Sequence, residues 1–599
     1  MTAGPVRAPV RVALRRLRGY ALRNRGYYAV WLAATLAYVA GFVAVPILVG
    51  WSVKAVVDGL GAQEVVRRVL WLAVVTLARA VVRYFSRTLV FNAAREIEYE
   101  LRNDIFSHLE RLPQSFYFRW RTGDIMSRCV NDIGAVRLLL GVGLLNVVQT
   151  PILYVAVIGA MLATNAKLAL LVLIPYPAFI WIARWFGRSI HHWSLATQEG
   201  LGDLSNQLQE TISGIAVVKA YAMEDVTQSR FDTANADLYR RQLGLVKANA
   251  AMPAIVTLLP AAAMWIILLV GGREISAGRM EIPEFFTFAM YVYELTFPTF
   301  LMGFVVAVVQ RGAASMQRIE ELLSEEPAIA DRDDAVAVPE LRGEIEFRGL
   351  TFRYAGSDRP PALRDIELRV PAGTTLGVVG AVGSGKSTLA CAIPRLYEVE
   401  DGQLFVDGID VNRIPLRTLR QSISMVPQDS FLFSMSLAEN IAFGLADASP
   451  EQIAEAARRA QLAKDVRDFP DGWDTLVGER GVMLSGGQRQ RTALARALLL
   501  RPKILILDDT LSSVDAETEA AIQRELTEVF AGRTVVVISH RVSSVRNADQ
   551  IIVLEAGRIA ERGRHEELVR QGGLYARMAL EQALEEDLAG EPARAEVRA

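Results

Sequence analysis

Six long apolar stretches dominate the first half of the chain, over roughly 28–50, 66–91, 139–163, 166–186, 249–271 and 284–309. Each is long enough to supply the roughly 20 residues that a helix needs to cross a bilayer core. Buried helices of a soluble protein are shorter and carry a polar face. The spacing therefore predicts six membrane-spanning helices, which excludes a wholly soluble fold for residues 1–322. With 599 residues, 52% hydrophobic residues and a mean hydropathy of +0.24, the chain is too apolar for an ordinary soluble protein. It is also too polar for membrane helices alone, so a second, water-soluble domain is expected.

Loop charges set the expected orientation. Arg7, Arg11, Arg15, Arg16, Arg18, Arg23 and Arg25 precede the first stretch. The long connections 92–138 and 187–248 are also rich in basic residues, whereas the other connections are short. Basic residues favour the cytoplasmic side, which places both termini there, in a cell inner (plasma) membrane. No apolar stretch with a small-residue cleavage site opens the chain, so a cleaved leader is not expected. Ala93–Leu112 and Gln198–Thr211 have helical spacing, so the membrane helices should continue far into the cytoplasm. They should return through turns near Leu112–Thr122 and Gly214–Glu224.

The texture changes after Ser324. Residues 323–342 read as a polar linker, 343–580 as an α/β domain with alternating strand and helix patterns, and 581–599 as a charged tail. Within the α/β domain, the apolar strand Thr375–Val379 runs into Gly380-Ala-Val-Gly383-Ser384-Gly385-Lys386-Ser387-Thr388. This is a phosphate-binding loop in its required setting. Glycines let backbone N–H groups face phosphates, Lys386 neutralises terminal phosphate charge, and Ser387 offers a hydroxyl to Mg²⁺. The following helix adds the partial positive charge of its N-terminus. A second apolar strand, Lys503–Leu507, ends in Asp508, whose carboxylate is suited to Mg²⁺. ATP and Mg²⁺ are the expected ligands.

Leu484-Ser485-Gly486-Gly487-Gln488 narrows the reading, because it resembles the signature of the ATP-binding cassette family. The resemblance extends over nearly the whole chain. Arg121–Arg128 with Asn131-Asp132, and Gly214–Tyr221, look like the two cytoplasmic turns of exporter membrane domains. The order of membrane domain then cassette is that of bacterial multidrug and lipid exporters. It implies an α-helical polytopic membrane domain fused to an α/β P-loop cassette, working as a half-transporter on a hydrophobic or amphipathic substrate such as a drug, lipid or peptide. It also implies roles for single residues. Tyr354 would stack on adenine. Gln428 would sense Mg²⁺ and the membrane domain. Glu479 would lie in a cross-contact segment, Asp515 in the loop Ser512–Asp515 that couples two sites, and His540 would act as the switch histidine. Ser485, Gly486, Gly487 and Gln488 would face the γ-phosphate held by the opposite cassette.

One position departs from the family pattern. Most cassettes place a glutamate after the Mg²⁺-associated aspartate, where it polarises the attacking water; this chain has Asp508-Asp509. The shorter side chain falls roughly 1 Å short, and such misplacement costs on the order of 10²-fold in rate. Two readings stand: a degenerate site that binds ATP and hydrolyses it slowly, or an Asp509 that works through a small backbone shift. The first is favoured, because a base must reach hydrogen-bond distance. In heterodimeric exporters, an aspartate here accompanies an intact signature, which then serves a partner's competent site. A different second half-transporter is therefore the expected partner, with a homodimer as the alternative. An ATP-gated regulatory or channel-like subunit is the alternative of another class.

The remaining features say less about function. Charges balance, with 65 basic and 66 acidic residues, so nothing argues for nucleic acid. Cys129 and Cys391 lie far apart, without a metal-ligand pattern. Arg79, Arg83 and Arg87 share one face of the second stretch, at a depth similar to that of Glu294 in the sixth. Either they form a structural ion pair, with Arg83 and Arg87 reaching toward the cytoplasmic headgroups, or they line the substrate path. Pro175, Pro177, Pro253, Pro260 and Pro298 permit kinks, and Tyr291, Tyr293, Phe297 and Phe300 are candidates to meet apolar substrate.

Overall fold

A computed structural model describes residues 10–584 except 339, 355–359, 479–480, 482, 512 and 515. Glu479, Ser512 and Asp515 thus lie outside the described residues, as do the side chains of Pro253 and Phe300. The chain forms two compact units. One holds the helices up to His108 together with Gly123–Glu325; the other begins at Glu326 and also includes Leu109–Thr122.

The first unit is helical throughout. Its elements begin with α1 (Val10–Arg23), α2 (Arg25–Val57) and α3 (Ala62–Leu109); α4 (Gln114–Arg119), next in the chain, belongs to the second unit. There follow α5 (Thr122–Ser127), α6 (Ile133–Leu138), α7 (Leu144–Leu173), α8 (Pro175–Ser213), α9 (Ile215–Ala220), α10 (Glu224–Ile266), α11 (Gly272–Ser276) and α12 (Ile282–Leu323). Single π-helical turns at Arg128–Asp132, Leu139–Gly143 and Ile267–Gly271 join consecutive helices without a break. The six apolar stretches all lie on these helices.

Among the described residues, three helical runs are long and apolar enough to cross a membrane: Arg25–Val57, Thr122–Phe179 and Ile282–Leu323. The second run contains the stretch over 139–163 and the first part of that over 166–186. They part at Asn165, whose backbone leaves the helical region (φ −155°, ψ 102°). Its side-chain oxygen accepts from the Leu168 N–H at 3.0 Å, satisfying a donor that a new helix start leaves free. Pro175 opens α8 at a position where no N–H is needed. The stretches over 66–91 and 249–271 are not among the three; in the first, Arg79, Arg83 and Arg87 lower the hydropathy.

Packing explains where small residues fall. Thr287 donates to the carbonyls of Pro46 (3.1 Å) and Pro283 (3.0 Å), and a Cβ on Gly50 would overlap its hydroxyl. Only glycine lets α2 and α12 meet there. Gly244 on α10 likewise lies under the Trp193 ring of α8, where a Cβ would come within 2.5 Å of the indole. An apolar core of Val39, Leu153, Met161, Leu168, Ile267, Phe288 and neighbouring residues joins α2, α7, α10 and α12. At the far end of α12, buried Arg128 reaches Glu321 at 3.1 Å, and Asp132 accepts from Ser315 at 2.8 Å and from Arg318 Nε at 2.8 Å. Arg16 pairs with Glu320, and Tyr20 donates to Asp104 at 2.6 Å.

The second unit is built on two sheets. β1 (Ile345–Phe352), β2 (Leu363–Val370), β4 (Leu404–Val406) and β5 (Ile409–Asp410) form an antiparallel sheet in the order β2-β1-β4-β5. The larger sheet runs β10-β9-β3-β8-β7-β6, with β3 (Thr375–Gly380), β6 (Ile423–Val426), β7 (Ile504–Asp508), β8 (Thr534–Ile538), β9 (Gln550–Glu555) and β10 (Arg558–Gly563). β6, β7, β8, β3 and β9 are parallel, and β10 is antiparallel. Their near-continuous Val/Ile/Leu runs suit strands covered on both faces.

Segments at both ends of the cassette are ordered against it or continue its helices. Much of the expected linker is fastened to the cassette: the Val336 N–H donates to Arg413 O at 2.7 Å, and Asp331 accepts from the Leu416 N–H at 2.7 Å. At the other end, a helix over 574–584 extends past residue 580.

Candidate functional site

Four loops meet at the carboxyl ends of adjacent parallel strands, where open α/β sheets bind ligands. The phosphate-type loop follows β3, Gln428 follows β6, Asp508 ends β7, and His540 follows β8. Strand order alone therefore brings together short motifs that lie far apart in the chain.

The loop after β3 has the backbone its glycines allow. Gly383 (φ +80°) and Gly385 (φ +103°) occupy the left-handed region. A Cβ on Gly385 would strike the Ala362 carbonyl at 2.6 Å, and one on Gly380 would meet Leu554 O at 2.3 Å. Val382, at the loop's tip, is 89% exposed. Lys386 opens the next helix and turns its ammonium back to Gly380 O (2.8 Å) and Ala381 O (2.9 Å). Burial lowers its pKa, opposed by Asp509 and Asp508. Buried Ser384 Oγ has no partner, leaving a hydroxyl ready for a phosphate oxygen. Tyr354 is partly exposed, packs edge-on against Tyr397 and shares a 2.8 Å hydrogen bond with the Thr388 hydroxyl.

Asp508 is buried, which pushes its pKa above the ordinary carboxylate range; a hydrogen bond from Ser387 and the charges of Lys386 and His540 oppose this, while Asp509 adds to it. Ser387 and Asp508 thus form a hydroxyl–carboxylate pair beside the loop. Among the described residues there is no group of three or more His, Cys, Asp or Glu side chains that would hold a metal alone. The pair fits Mg²⁺ only as it accompanies a phosphate chain, which completes the oxygen shell.

Asp509 stands in the left-handed region (φ +49°), with its N–H donating to Ile538 O at 2.9 Å. Its Oδ2 accepts from Gln428 Nε2 at 3.5 Å, the outer limit of such a bond. Lys386, Asp508, Asp509, Gln428 and His540 are therefore neighbours.

Ser485–Gln488 are held separately. Ser485 caps the helix Gly486–Leu499: its hydroxyl accepts from the Gln488 N–H at 3.2 Å, and Gln488 Oε1 accepts from the Ser485 N–H at 2.9 Å. Gln488 Nε2 also donates to Asp465 at 3.1 Å. A Cβ on Gly487 would come within 3.0 Å of Ser513 O, and one on Gly486 within 3.4 Å of Ser513 Cβ. None of these hydrogen bonds of Ser485 and Gln488 reaches Gly380–Thr388.

Gln582 was not foreseen from the sequence. From the helix over 574–584, its Nε2 donates to His540 O at 2.6 Å and its Oε1 accepts from the Val542 N–H at 2.6 Å. One side chain thus brackets the His540 loop. A glutamine in a charged terminal segment carries no pattern that would reveal this. In the membrane unit, Arg79 Nη1 lies 2.9 Å from Glu294 Oε1, and Arg83 and Arg87 line a nearby cavity with Glu294.

Comparison with known proteins agrees with both units. Residues 30–299 match the family model for the ABC transporter transmembrane region, and 363–512 match that for the ABC transporter. The chain is 35% identical over 569 residues to the ATP-dependent lipid A-core flippase of Chromobacterium violaceum, covering 94% of this chain and 96% of that protein. It is 35% identical over 549 residues to the multidrug resistance-like ATP-binding protein MdlA of Escherichia coli, covering 90% and 92%. A solved structure of a bacterial Atm1-family ABC exporter with ATP bound superposes with a TM-score of 0.75 at 28% identity, covering 95% of this chain and 98% of that one. With a helical membrane unit and an ATP-binding, ATP-hydrolysing cassette in one polypeptide, the chain belongs to the ABC transporter family, as a half-transporter of the bacterial multidrug and lipid exporter type.

Proposed function

We propose that this chain is one subunit of a heterodimeric exporter, in which its own ATP site binds nucleotide but turns it over slowly. The observation that carries this reading is Asp509. Its Cα is fixed by a left-handed backbone and by the bond from its N–H to Ile538 O, so a small shift to extend its reach is resisted from both sides. Asp509 is the general base, weakened by its length; Gln428 and His540 position the water and the γ-phosphate. Tyr354 carries adenine. Gly380, Gly383, Ser384, Gly385, Lys386 and Thr388 hold the phosphates. Mg²⁺, held by Ser387, Gln428 and Asp508, would neutralise charge as the β–γ bond breaks. Ser485, Gly486, Gly487 and Gln488, with Asp515, complete the partner's site, where most hydrolysis occurs.

The membrane unit spans the bilayer six times, with both termini and the cassette in the cytoplasm of a cell whose inner membrane holds it. Two ATP molecules clamp two cassettes together, and that closure moves the helices through α4 and α9. A hydrophobic or amphipathic substrate then passes from an inward-open to an outward-open cavity. Relatives named for lipid A-core flipping and multidrug resistance support this class of cargo.

Purification of the chain alone tests the pairing. We expect ATP turnover that is already slow in the wild type and that Asp509→Asn lowers only from that low level. Robust turnover by the chain on its own, abolished by Asp509→Asn, would establish a competent homodimer instead.

A further inference from the structure

Three arginines lie on one face of α3 at four-residue intervals, yet the structure gives only one of them an acid. Arg79 pairs with Glu294, and its stem passes Gly41 on α2, where a Cβ would be in ordinary contact with it at 3.4 Å. Arg83 and Arg87 are exposed, and among the described residues neither has a carboxylate partner. Both line a cavity of about 370 Å³ within the membrane unit. Its other walls include Tyr38, Phe42, Tyr293 and Phe297. Arg83 lies 6.0 Å from the Tyr38 ring centre and Arg79 5.3 Å from that of Phe42.

Arginine does not shed its proton in a protein, so this face stays cationic whatever the pH. Unpaired cations at membrane depth are costly and need an anion or water. Three arginines against one glutamate leave two positive charges uncompensated at this wall. Glu294 Oε2 is buried without a partner, which taken alone would suit a cationic ligand. Two neighbouring guanidinium groups repel such a ligand, so the balance favours an anion.

We propose that Arg83 and Arg87 form an anion subsite in this cavity. They take the phosphate, sulfonate or carboxylate of an amphipathic molecule whose apolar part lies on the rings of Tyr38, Phe42, Tyr293 and Phe297. Guanidinium groups suit such oxyanions because their N–H donors bond two oxygens at once. The cavity's size accommodates a headgroup and the start of a chain. This assignment rests on the exporter reading, because the cavity matters only if cargo passes through it.

Binding without ATP separates the two claims. The full-length protein, purified with any partner it retains, is titrated in detergent and read by native mass spectrometry. The probes are oleoyl lysophosphatidic acid and oleoyl lysophosphatidylcholine, which share one chain and differ in net headgroup charge. The wild type should prefer the anionic lipid by on the order of ten-fold. Arg83→Gln with Arg87→Gln should remove the preference, and the double lysine variant should keep most of it. Decanesulfonate, a water-soluble organic anion, should displace the lipid, whereas decyltrimethylammonium should not. If decanesulfonate binds more tightly than the lipid, the natural cargo is a soluble anion; the reverse indicates a lipid headgroup, and either supports the subsite. Equal affinity for both lipids, a preference that survives the double glutamine change, or displacement by the cation alone would overturn it. Should the double glutamine variant not fold, the wild-type competition still decides. Failure here, alongside ATP-driven transport of neutral or cationic compounds, would remove the subsite and leave the exporter reading intact.

Discussion

The cassette and the membrane unit both bury charge, but they arrange it by different routes. In the cassette, Lys386, Asp508, Asp509 and His540 sit at strand ends, where sheet topology makes neighbours of short local motifs. In the membrane unit, Arg79 meets Glu294 across 215 residues of sequence, through the packing of whole helices. The cassette's charges answer to a ligand that comes and goes, so some are left poised: Lys386 rests on its own loop's carbonyls, and burial works against the ionised form of Asp508. The structural charges of the membrane unit are mostly paired already, as at Arg128–Glu321 and Arg318–Asp132. Among the described residues Arg83 and Arg87 have no carboxylate partner although they line a cavity, which is why they point to cargo. Ligand-facing charge in this protein is recognised by its lack of a permanent partner.

The sharpest way to break that contrast is to remove Lys386. Lys386→Ala should lower ATP turnover of the assembled transporter by on the order of 10²-fold, because ATP lost from this site no longer closes the clamp on which the partner's site depends. Residual turnover close to wild type would mean that this site does not contribute to the clamp. Next in size is the paired charge in the membrane unit. Glu294→Gln leaves Arg79 without its anion and should cost about 2 kcal/mol, below the range for fully buried pairs because both groups keep some exposure. Arg79→Gln added to it should restore most of that stability, read as the midpoint of thermal unfolding in detergent. A single change without effect on unfolding, but with altered cargo-stimulated ATPase, would move the pair into the substrate path.

Smaller effects are expected where the cassette is only positioned. Gln582→Leu frees the His540 loop and should lower kcat a few-fold, leaving KM for ATP nearly unchanged, since Gln582 is far from a binding role (on the order expected for a lost supporting contact). An equal loss in unfolding midpoint and in KM would instead make Gln582 a purely structural clamp. Asp508→Asn should produce the smallest change in stability. The folded-state pKa of Asp508 is raised, so its ionisation weakens the ligand-free fold as pH rises above the ordinary aspartate range. The asparagine side chain lacks this cost, and the variant should unfold at a higher temperature near pH 7. The gain should vanish below the ordinary aspartate range, about pH 4. A gain that persists there would assign the effect to packing.

What could be read in advance follows the same division. The loop at Gly380–Thr388, the strand ending in Asp508 and the turn at Leu484–Gln488 were legible because their chemistry needs fixed local spacing. The break at Asn165 was foreshadowed by a short polar interruption between two apolar stretches. The Arg79–Glu294 contact was accessible only as a matched depth, since spacing along one helix says nothing of which helix it will meet. Gln582 was hidden because hydrogen bonds to backbone groups demand no particular neighbour in sequence. The docking of Asp331 and Val336 onto the cassette was hidden for a related reason: polar, proline-containing composition resembles a free linker even when its own groups are satisfied by a neighbouring surface.

The central claim is that this chain's site holds ATP and is slow because one carboxylate is a methylene too short. Single-turnover hydrolysis by the assembled transporter, comparing wild type with Asp509→Glu, tests it directly. The account predicts that this site retains unhydrolysed ATP in the wild type and that the glutamate speeds its hydrolysis by on the order of 10²-fold. Identical rates, with ATP at this site consumed as fast in the wild type as in the variant, would contradict it.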